Sequence, residues 1–539
     1  MIKYITEKVL KHKILILIFV LTLSSSLLSV ITPYYNSIFL DALTLGSSKD
    51  DVTNILLFLL ILGIAATLLQ IFLNYQIGKT RLKLRFEDHW KIISHVQRIP
   101  INESRKYNPA YLNDRISSDV SVIVDFMIDN YATAIFEAIK LILILYILFT
   151  IDFVVFIACL IFIPIYIFVY VNYRNKLYKT GLALKESNNI FNNFLYGQLA
   201  NIINIKIENS FNRSNYHVKK NFNKLSSVFL GYLKTSTAFA SIDSFISTIF
   251  HMLILVYGSY SIISNNITIG EFTVLLAYFV MVIQIVKYYL NMGKTYQDFK
   301  TSYNRINELL QIPAEENGFD KLTEIKKINI IHGEFHYPDK NIFTDINYSF
   351  NGGNCYIIQG KNGSGKSTLM ELLIGLLSLN SGKITINDKN IVDIDIHDAR
   401  ECLISCFTQE PPFVNLKVNE FINMESIFEF DKKYLKVKNL YNISSDSMKE
   451  LIIEKFNDNI FDLSSGEYQR IKLFNAVNKN FDVIILDEPT TYLDVETSTI
   501  LINLINKFIE LDKIVICISH DTDLPIKINN VNICKIEEL

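Results

Sequence analysis

The sequence predicts two joined halves of different class: an α-helical membrane domain of six helices that extend past the bilayer, then an α/β domain. Three observations predict this. Half of the 539 residues are hydrophobic, with 37 Phe and 29 Tyr, a balance that soluble chains of this length rarely show. Six apolar runs, all before residue 291, reach the roughly 20 residues that a helix needs to cross a bilayer. After residue 310 short β-rich runs alternate with helical ones, the pattern of an α/β fold.

The six runs lie near residues 14–35, 52–75, 132–151, 153–171, 239–263 and 271–290. The first is too long for a removable signal peptide and lacks its small-residue cleavage site. Lys3, Lys8, Lys11 and Lys13 precede it; Lys79, Arg81, Lys83 and Arg85 follow the second run, and Arg174, Lys176 and Lys179 the fourth. The loops on the other side carry Asp41, Asp50, Asp51, Asp152 and Glu271 against Lys49. This asymmetry predicts a multi-pass protein of the cytoplasmic (inner) membrane with both termini cytoplasmic. The intervening stretches 76–131 and 172–238 keep a helical apolar spacing and few prolines. They read as span helices continued outward, where roughly 30 residues reach about 45 Å. The membrane domain is expected over 1–310, a linker opening with "QIPAEENGFDK" over 311–324, and the second domain over 325–539.

The net charge of −2 offers no basic excess for nucleic acid. The cysteines at 159, 355, 402, 406, 517 and 534 include one close pair, but no second pair follows at zinc spacing. They read as buried thiols in a reducing compartment.

"GKNGSGKST" at 360–368 follows the strand-like "NCYIIQ" and precedes a helical run. That context makes it a phosphate-binding loop rather than a glycine-rich turn. The backbone N–H groups of Gly363, Ser364 and Gly365 would wrap phosphates. Lys366 would reach the β- and γ-phosphates, and Ser367 would ligate Mg²⁺. "FDVIILDEPT" at 481–490 is a buried parallel strand ending in two acids. Asp487 could hold Mg²⁺, and Glu488 could polarise a water for attack on phosphorus. "KIVICISHD" at 513–521 ends in His520. A lone histidine is more often structural, but strand ends are where such sheets place ligands.

Taken in order, these motifs resemble the ATP-binding cassette transporters, specifically the half-size exporters. Tyr337 in "FHYPD" lies where that family stacks an aromatic on adenine. Gln409 in "CFTQEPPF" resembles its Mg²⁺- and water-contacting glutamine, and "LSSGE" (463–467) its signature. Asp494 in "TTYLD" and His520 complete the series. The resemblance implies an α/β P-loop ATPase domain with a small helical subdomain. It further implies ATP and Mg²⁺ as ligands, and Glu488, His520 and Gln409 as catalytic. Gly360, Asn362 and Thr368 then belong to the nucleotide site, as do Ser464, Ser465, Gly466, Glu467 and Asp494, with Ser367, Gln409 and Asp487 on the metal. "YNPAYLNDRISSDVSVI" (107–123) and "IKIENSFNRSNYHVKKNF" (205–222) resemble the two loops that carry coupling helices.

The sequence also departs from the family pattern. About 55 residues separate Gln409 from Ser464, so a trimmed helical subdomain is expected. Residue 14 leaves no room before the first span for a peptidase domain, so no leader cleavage is expected. The family prefers Gly at 465 and Gln at 467. A Ser465 forced to positive φ would cost about 1 kcal/mol, and Glu467 would add negative charge near phosphate.

Within the membrane, Glu137 and Lys140 share a helical face. A charge there costs roughly 2.5–3.5 kcal/mol on insertion scales. The pair reads either as part of a polar substrate cavity or as mutually satisfied side chains. His251 and Gln284 are weaker candidates of the same kind, and Tyr288–Tyr289 reads as an interfacial anchor. One phosphate loop and one signature per chain imply a dimer. A homodimer with two composite ATP sites is expected, with a heterodimer as the alternative. The expected activity is ATP-driven export of a peptide or natural product. The alternatives are a lipid or drug exporter, or a membrane-anchored ATPase that senses or confers resistance without transport.

Overall fold

The computed structural model describes residues 8, 13–107, 112–113, 115–338, 340–361, 363–408, 416–422, 454–477, 479–490, 495–519 and 524–537. By compactness the chain forms two units. Met1–Ser94 joins Pro109–Gln311, and His95–Asn108 joins Ile312–Leu539.

Among the described residues of the first unit, six helical stretches are long and apolar enough to cross a membrane. They are α1 (Lys13–Thr44), α2 (Lys49–Val96), the stretch Arg115–Ile151, and, further on, Phe153–Ala200, Phe211–Ile263 and Ile269–Leu310. Between the second and third lies a short helix, α3 (Ile101–Ser104), which belongs to the second unit. The third stretch opens with a π-helical turn, Arg115–Asp119, before α4 (Val120–Ile151). Then come α5 (Phe153–Ala200), a short α6 (Ile202–Ile207), α7 (Phe211–Ile263) and α8 (Ile269–Leu310). At 48, 48 and 53 residues, α2, α5 and α7 run well past the roughly 20 residues that a span requires.

The termini of these helices are set by local chemistry. Asp152 accepts the N–H groups of Val154 and Val155 at 2.8 and 2.9 Å and so starts α5. Thr268 and Glu271 form a reciprocal capping box at the start of α8, which satisfies two orphan donors. Asp41 from α1 adds to it, accepting from Thr268 Oγ1 and the Gly270 N–H, each at 2.8 Å. Half of the apolar window of α8 is buried, against 22% or less in the other spans. α8 is therefore the central helix, with α1, α4, α5 and α7 packed on it. Its Leu275, Tyr278, Phe279 and Val282 meet Ile144, Leu148, Phe162 and Ile254 in one apolar cluster. The buried Tyr278 hydroxyl is satisfied by the Val30 carbonyl at 2.8 Å.

The second unit holds two sheets. β1 (Lys327–Tyr337), β2 (Lys340–Asn351), β4 (Ser381–Ile386) and β5 (Lys389–Asn390) form an antiparallel sheet in the order β2-β1-β4-β5. β3 (Asn354–Gln359), β6 (Ile404–Phe407), β7 (Val483–Asp487), β8 (Ile514–Ile518) and β9 (Val531–Lys535) form a parallel sheet in the order β6-β7-β8-β3-β9. All five residues of β8, "IVICI", are buried, as expected of a parallel strand covered on both faces. The covering helices are α9 (Lys366–Leu373), α10 (Ile396–Cys402), α11 (Val418–Ile422), α12 (Ser465–Val477) and α13 (Val495–Glu510), with a short α14 (Leu524–Lys527) before β9. The polar stretch after Gln311 is bound to this unit rather than free. The Gly318 N–H donates to the Ile394 carbonyl at 3.0 Å, and Arg400 pairs with Glu315 at 2.5 Å. The residues expected to form the helical subdomain lie largely in 409–415 and 423–453, outside the described residues.

Candidate functional site

The site forms where β3, β7 and β8 end, the side of a parallel sheet at which ligands bind. β3 stops at Gln359 and the chain turns through Gly360–Gly365 into α9. Gly363 and Gly365 have φ of +77° and +106°, the left-handed region that glycine enters without penalty. A Cβ on Gly365 would also stand 2.5 Å from Ile342 Cγ2. A Cβ on Gly360 would stand 2.7 Å from Ser364 Oγ, so this turn admits only a bare backbone. The Ser364 hydroxyl is buried and makes no hydrogen bond, an unsatisfied group of the kind that marks a ligand-binding turn. Lys366 Nζ donates to the carbonyls of Gly360 and Lys361 at 2.7 and 3.2 Å, which holds the ammonium over the loop. A second cation, Lys340 from β2, donates to the Gly363 carbonyl at 2.8 Å.

Two acids stand at the end of β7. Asp487 is half-buried, and burial raises its carboxyl pKa above the ordinary value. The neighbouring Glu488 raises it further, while Lys366 opposes both. Opposite charges from the loop and from β7 therefore face one another across the site. Glu488 has φ of +46°, a conformation that non-glycine residues rarely hold unless the surroundings enforce it. The enforcing contact is its N–H donating to the Ile518 carbonyl of β8 at 2.8 Å. Tyr337 closes β1, its hydroxyl 3.4 Å from Thr368 Oγ1 at the start of α9.

Tyr337, Gly360, Gly363–Thr368, Asp487 and Glu488 thus collect around one turn. Ser464–Glu467 open α12, which packs on β6 and α11. Among the described residues no hydrogen bond or ion pair joins this turn to the phosphate loop. The expected strain at Ser465 is absent: among the described residues it is not one with positive φ, since it is the first residue of α12 and has entered the helix. Asn362, Gln409, Asp494 and His520 lie outside the described residues.

In the first unit, Lys140 Nζ and Glu137 Oε1 are 2.8 Å apart, a mutually satisfied pair. His251 is half-buried and Gln284 exposed. The hydroxyls of Tyr288 and Tyr289 bond into α4, at Asn130 and Ala134. A charged group that no motif marks joins three helices. Asp243 on α7 accepts from Tyr166 on α5 and from Lys287 on α8, the latter at 2.8 Å. Arg105, Glu371 and Lys340 were equally hidden. Arg105 and Glu371 are 266 residues apart, and Lys340 reaches a backbone carbonyl 23 residues on; no spacing rule links a cation to such partners.

Comparison with known proteins gives the family of both halves of the chain. Residues 15–286 match the ABC transporter transmembrane region, and residues 343–491 match the ABC transporter family. The lactococcin-A transport/processing ATP-binding protein LcnC of Lactococcus lactis subsp. lactis is 24% identical over 95% of this chain and 72% of its own length. The transport/processing ATP-binding protein ComA of Streptococcus pneumoniae is 22% identical over 93% and 70%. The ATP-dependent lipid A-core flippase of Syntrophus aciditrophicus is 22% identical over 75% and 68%. The chain belongs to the ABC transporter family: it is a membrane-spanning exporter whose α/β domain is an ATPase coupled to transport.

Proposed function

We propose that this chain exports a peptide across the cytoplasmic membrane as a homodimer with two composite ATP sites, both termini cytoplasmic. Adenine stacks on Tyr337, and the N–H groups of Gly363, Ser364 and Gly365 hold the phosphates with Gly360, Asn362 and Thr368 shaping the turn. The buried, unpartnered Ser364 hydroxyl and the Lys366 ammonium fit a triphosphate. Ser367, Asp487 and Gln409 supply the hard oxygen donors that suit Mg²⁺. Held by these residues, Mg²⁺ would supply charge neutralisation at the phosphates. Glu488 takes the proton of the attacking water, with Gln409 and His520 placing that water and the γ-phosphate. Ser464, Ser465, Gly466, Glu467 and Asp494 of one copy close over the ATP of the other.

The observation that carries the catalytic assignment is Glu488 itself, an acid held at φ +46° directly after the half-buried Asp487. Two findings support the rest. Ile203 and Ile207 on α6 are 68% and 76% exposed, apolar area suited to cover by a second copy. Two relatives are named for transport together with processing, and a cargo that is processed as it is carried favours a peptide. ATP binds the closed and open cassette pairs with different affinity, and that difference supplies the work.

Inverted membrane vesicles with a panel of labelled peptides, lipids and drugs test this. The wild type should accumulate a peptide with ATP, and Glu488→Gln should not. Accumulation of lipids or drugs alone would replace the peptide assignment. ATP hydrolysis with no transported compound would favour the sensor alternative.

A further inference from the structure

The segment between α2 and the third span is tied to the second unit at two points. The Arg98 carbonyl accepts the Glu315 N–H at 2.6 Å. Seven residues on, Arg105 forks onto Glu371, with Nη2–Oε1 at 2.6 Å and Nη1–Oε2 at 2.9 Å. A bidentate guanidinium–carboxylate pair fixes direction as well as distance. Glu371 is 8% exposed and lies three residues after Thr368, on the same face of α9. Thr368 Oγ1 is the atom 3.4 Å from the Tyr337 hydroxyl. That hydroxyl is near enough to the Arg105 guanidinium to favour its charge, after the larger effect of Glu371. Ile101, one turn before Arg105, packs against the same apolar cluster as Tyr337 and Leu369.

A buried glutamate needs a cation, and that need alone would explain the fork. It would not explain why the fork sits on the face of α9 that the Tyr337 hydroxyl meets at Thr368, with Ile101 packed on the same cluster as that ring. We infer that Arg105 is a positioning residue for the adenine site: forked on Glu371 and set beside the Tyr337 hydroxyl, it fixes the ring that Tyr337 offers to the base. The inference rests on the nucleotide assignment above. Its consequence is that the segment following α2 senses a bound base separately from bound phosphates. A lysine cannot replace it, since a point charge on a flexible stem cannot hold both carboxylate oxygens in a fixed direction.

The test compares ATP with inorganic tripolyphosphate, both with Mg²⁺, in calorimetric titrations of the full chain in lipid nanodiscs. Arg105→Met and Arg105→Lys should each weaken ATP about tenfold, a clear step on the affinity scale, and leave tripolyphosphate unchanged. Tyr337→Leu should show the same base-selective loss, and Arg105→Met/Tyr337→Leu should lose no more than Tyr337→Leu alone, as expected for coupled residues. Equal loss of both ligands, no loss of either, or additive losses in the double variant would overturn the inference. Should Arg105→Met fail to fold, Arg105→Lys carries the comparison, because it keeps the charge over Glu371. Failure of the nucleotide assignment itself looks different: the wild type would bind neither ligand, and Lys366→Ala would change nothing.

Discussion

Ser464 and Glu467 hold each other in both directions. Glu467 Oε2 accepts the Ser464 N–H at 2.8 Å and its hydroxyl at 2.7 Å, while the Glu467 N–H donates to Ser464 Oγ at 3.3 Å. This is a capping box on α12, built from the serine that is proposed to meet the γ-phosphate of the second copy. To bind phosphate, the Ser464 hydroxyl must leave a carboxylate, and that carboxylate then remains beside another anion.

The first prediction follows from which residue carries the defect. Ser465 is unstrained, so Ser465→Gly should leave ATP-induced dimerisation unchanged, whereas Glu467→Gln should strengthen it. The double variant Ser465→Gly/Glu467→Gln should gain less than about a hundredfold, some 2.7 kcal/mol. Light scattering with ATP checks this, and a larger gain would mean that the self-capping turn is a stronger brake. The Ser464 hydroxyl and N–H hold the Glu467 carboxyl below its ordinary value. Its contribution to the cap is therefore present above the ordinary carboxylate pKa and fades only as pH falls through that lowered value.

Asp487 has the opposite sign. Burial first, then the charge of Glu488, raises its carboxyl pKa, with Lys366 in opposition. For an acid with a raised value the charged form is the costly one. The fold is penalised above the native pKa and relieved as pH falls through it. The Mg²⁺ site proposed at Asp487 would need the charged form. Mg²⁺-dependent ATP binding should therefore weaken on acidification at a higher pH than an ordinary aspartate would set. Glu488→Gln removes a raising charge and should move that midpoint to lower pH. Titrations from pH 4 to pH 8 read the shift, and an unmoved midpoint would refute it.

The two classes of domain were legible because their signals are local. An apolar run of span length, or a loop with Gly, Lys and Ser at fixed offsets, is written within 25 residues. The phosphate loop, Asp487, Glu488 and Tyr337 were found that way, and the structure brings them to one turn. Three features were not legible. The φ of Glu488 depends on a carbonyl of β8, a strand that comes later in the chain. The Arg105–Glu371 fork joins residues 266 apart. Residues 95–108 read as a continuation of a span, yet they group with the second unit. Periodicity reports that a segment is helical, not which body it packs on.

The start of α8 depends on Asp41. Asp41→Ala removes acceptors from Thr268 and from the Gly270 N–H, and loss of a cap typically costs about 1 kcal/mol. Gly270→Ala should cost more. Its Cβ would lie 2.2 Å from the Ser37 carbonyl and 2.5 Å from the Asp41 carboxylate, and relief of such overpacking takes about 1–3 kcal/mol. Thermal unfolding in nanodiscs should rank wild type, Asp41→Ala and Gly270→Ala in falling order. The reverse order for the two variants would show that α1 yields easily at this contact.

Asp243 and Lys287 give the last prediction. Their side chains are 20% and 40% exposed, with N and O 2.8 Å apart, and the Tyr166 hydroxyl donates to the same carboxylate. The Lys287 ammonium also stands 5.9 Å over the Tyr166 ring. Removing one charge of such a pair leaves the other uncompensated, which is the costly event. Asp243→Asn should therefore lower stability by more than the about 1 kcal/mol typical of exposed pairs, but by less than the about 3–5 kcal/mol of fully buried ones. Asp243→Asn/Lys287→Gln removes both charges and should recover most of that loss, since a neutral pair can still hydrogen-bond. Because the triad joins α5, α7 and α8, substrate-stimulated ATPase should follow the same pattern: depressed in Asp243→Asn, restored in the double variant. If the double variant regains stability but not stimulation, the charges themselves serve transport, and the group is a substrate contact rather than a strut between helices.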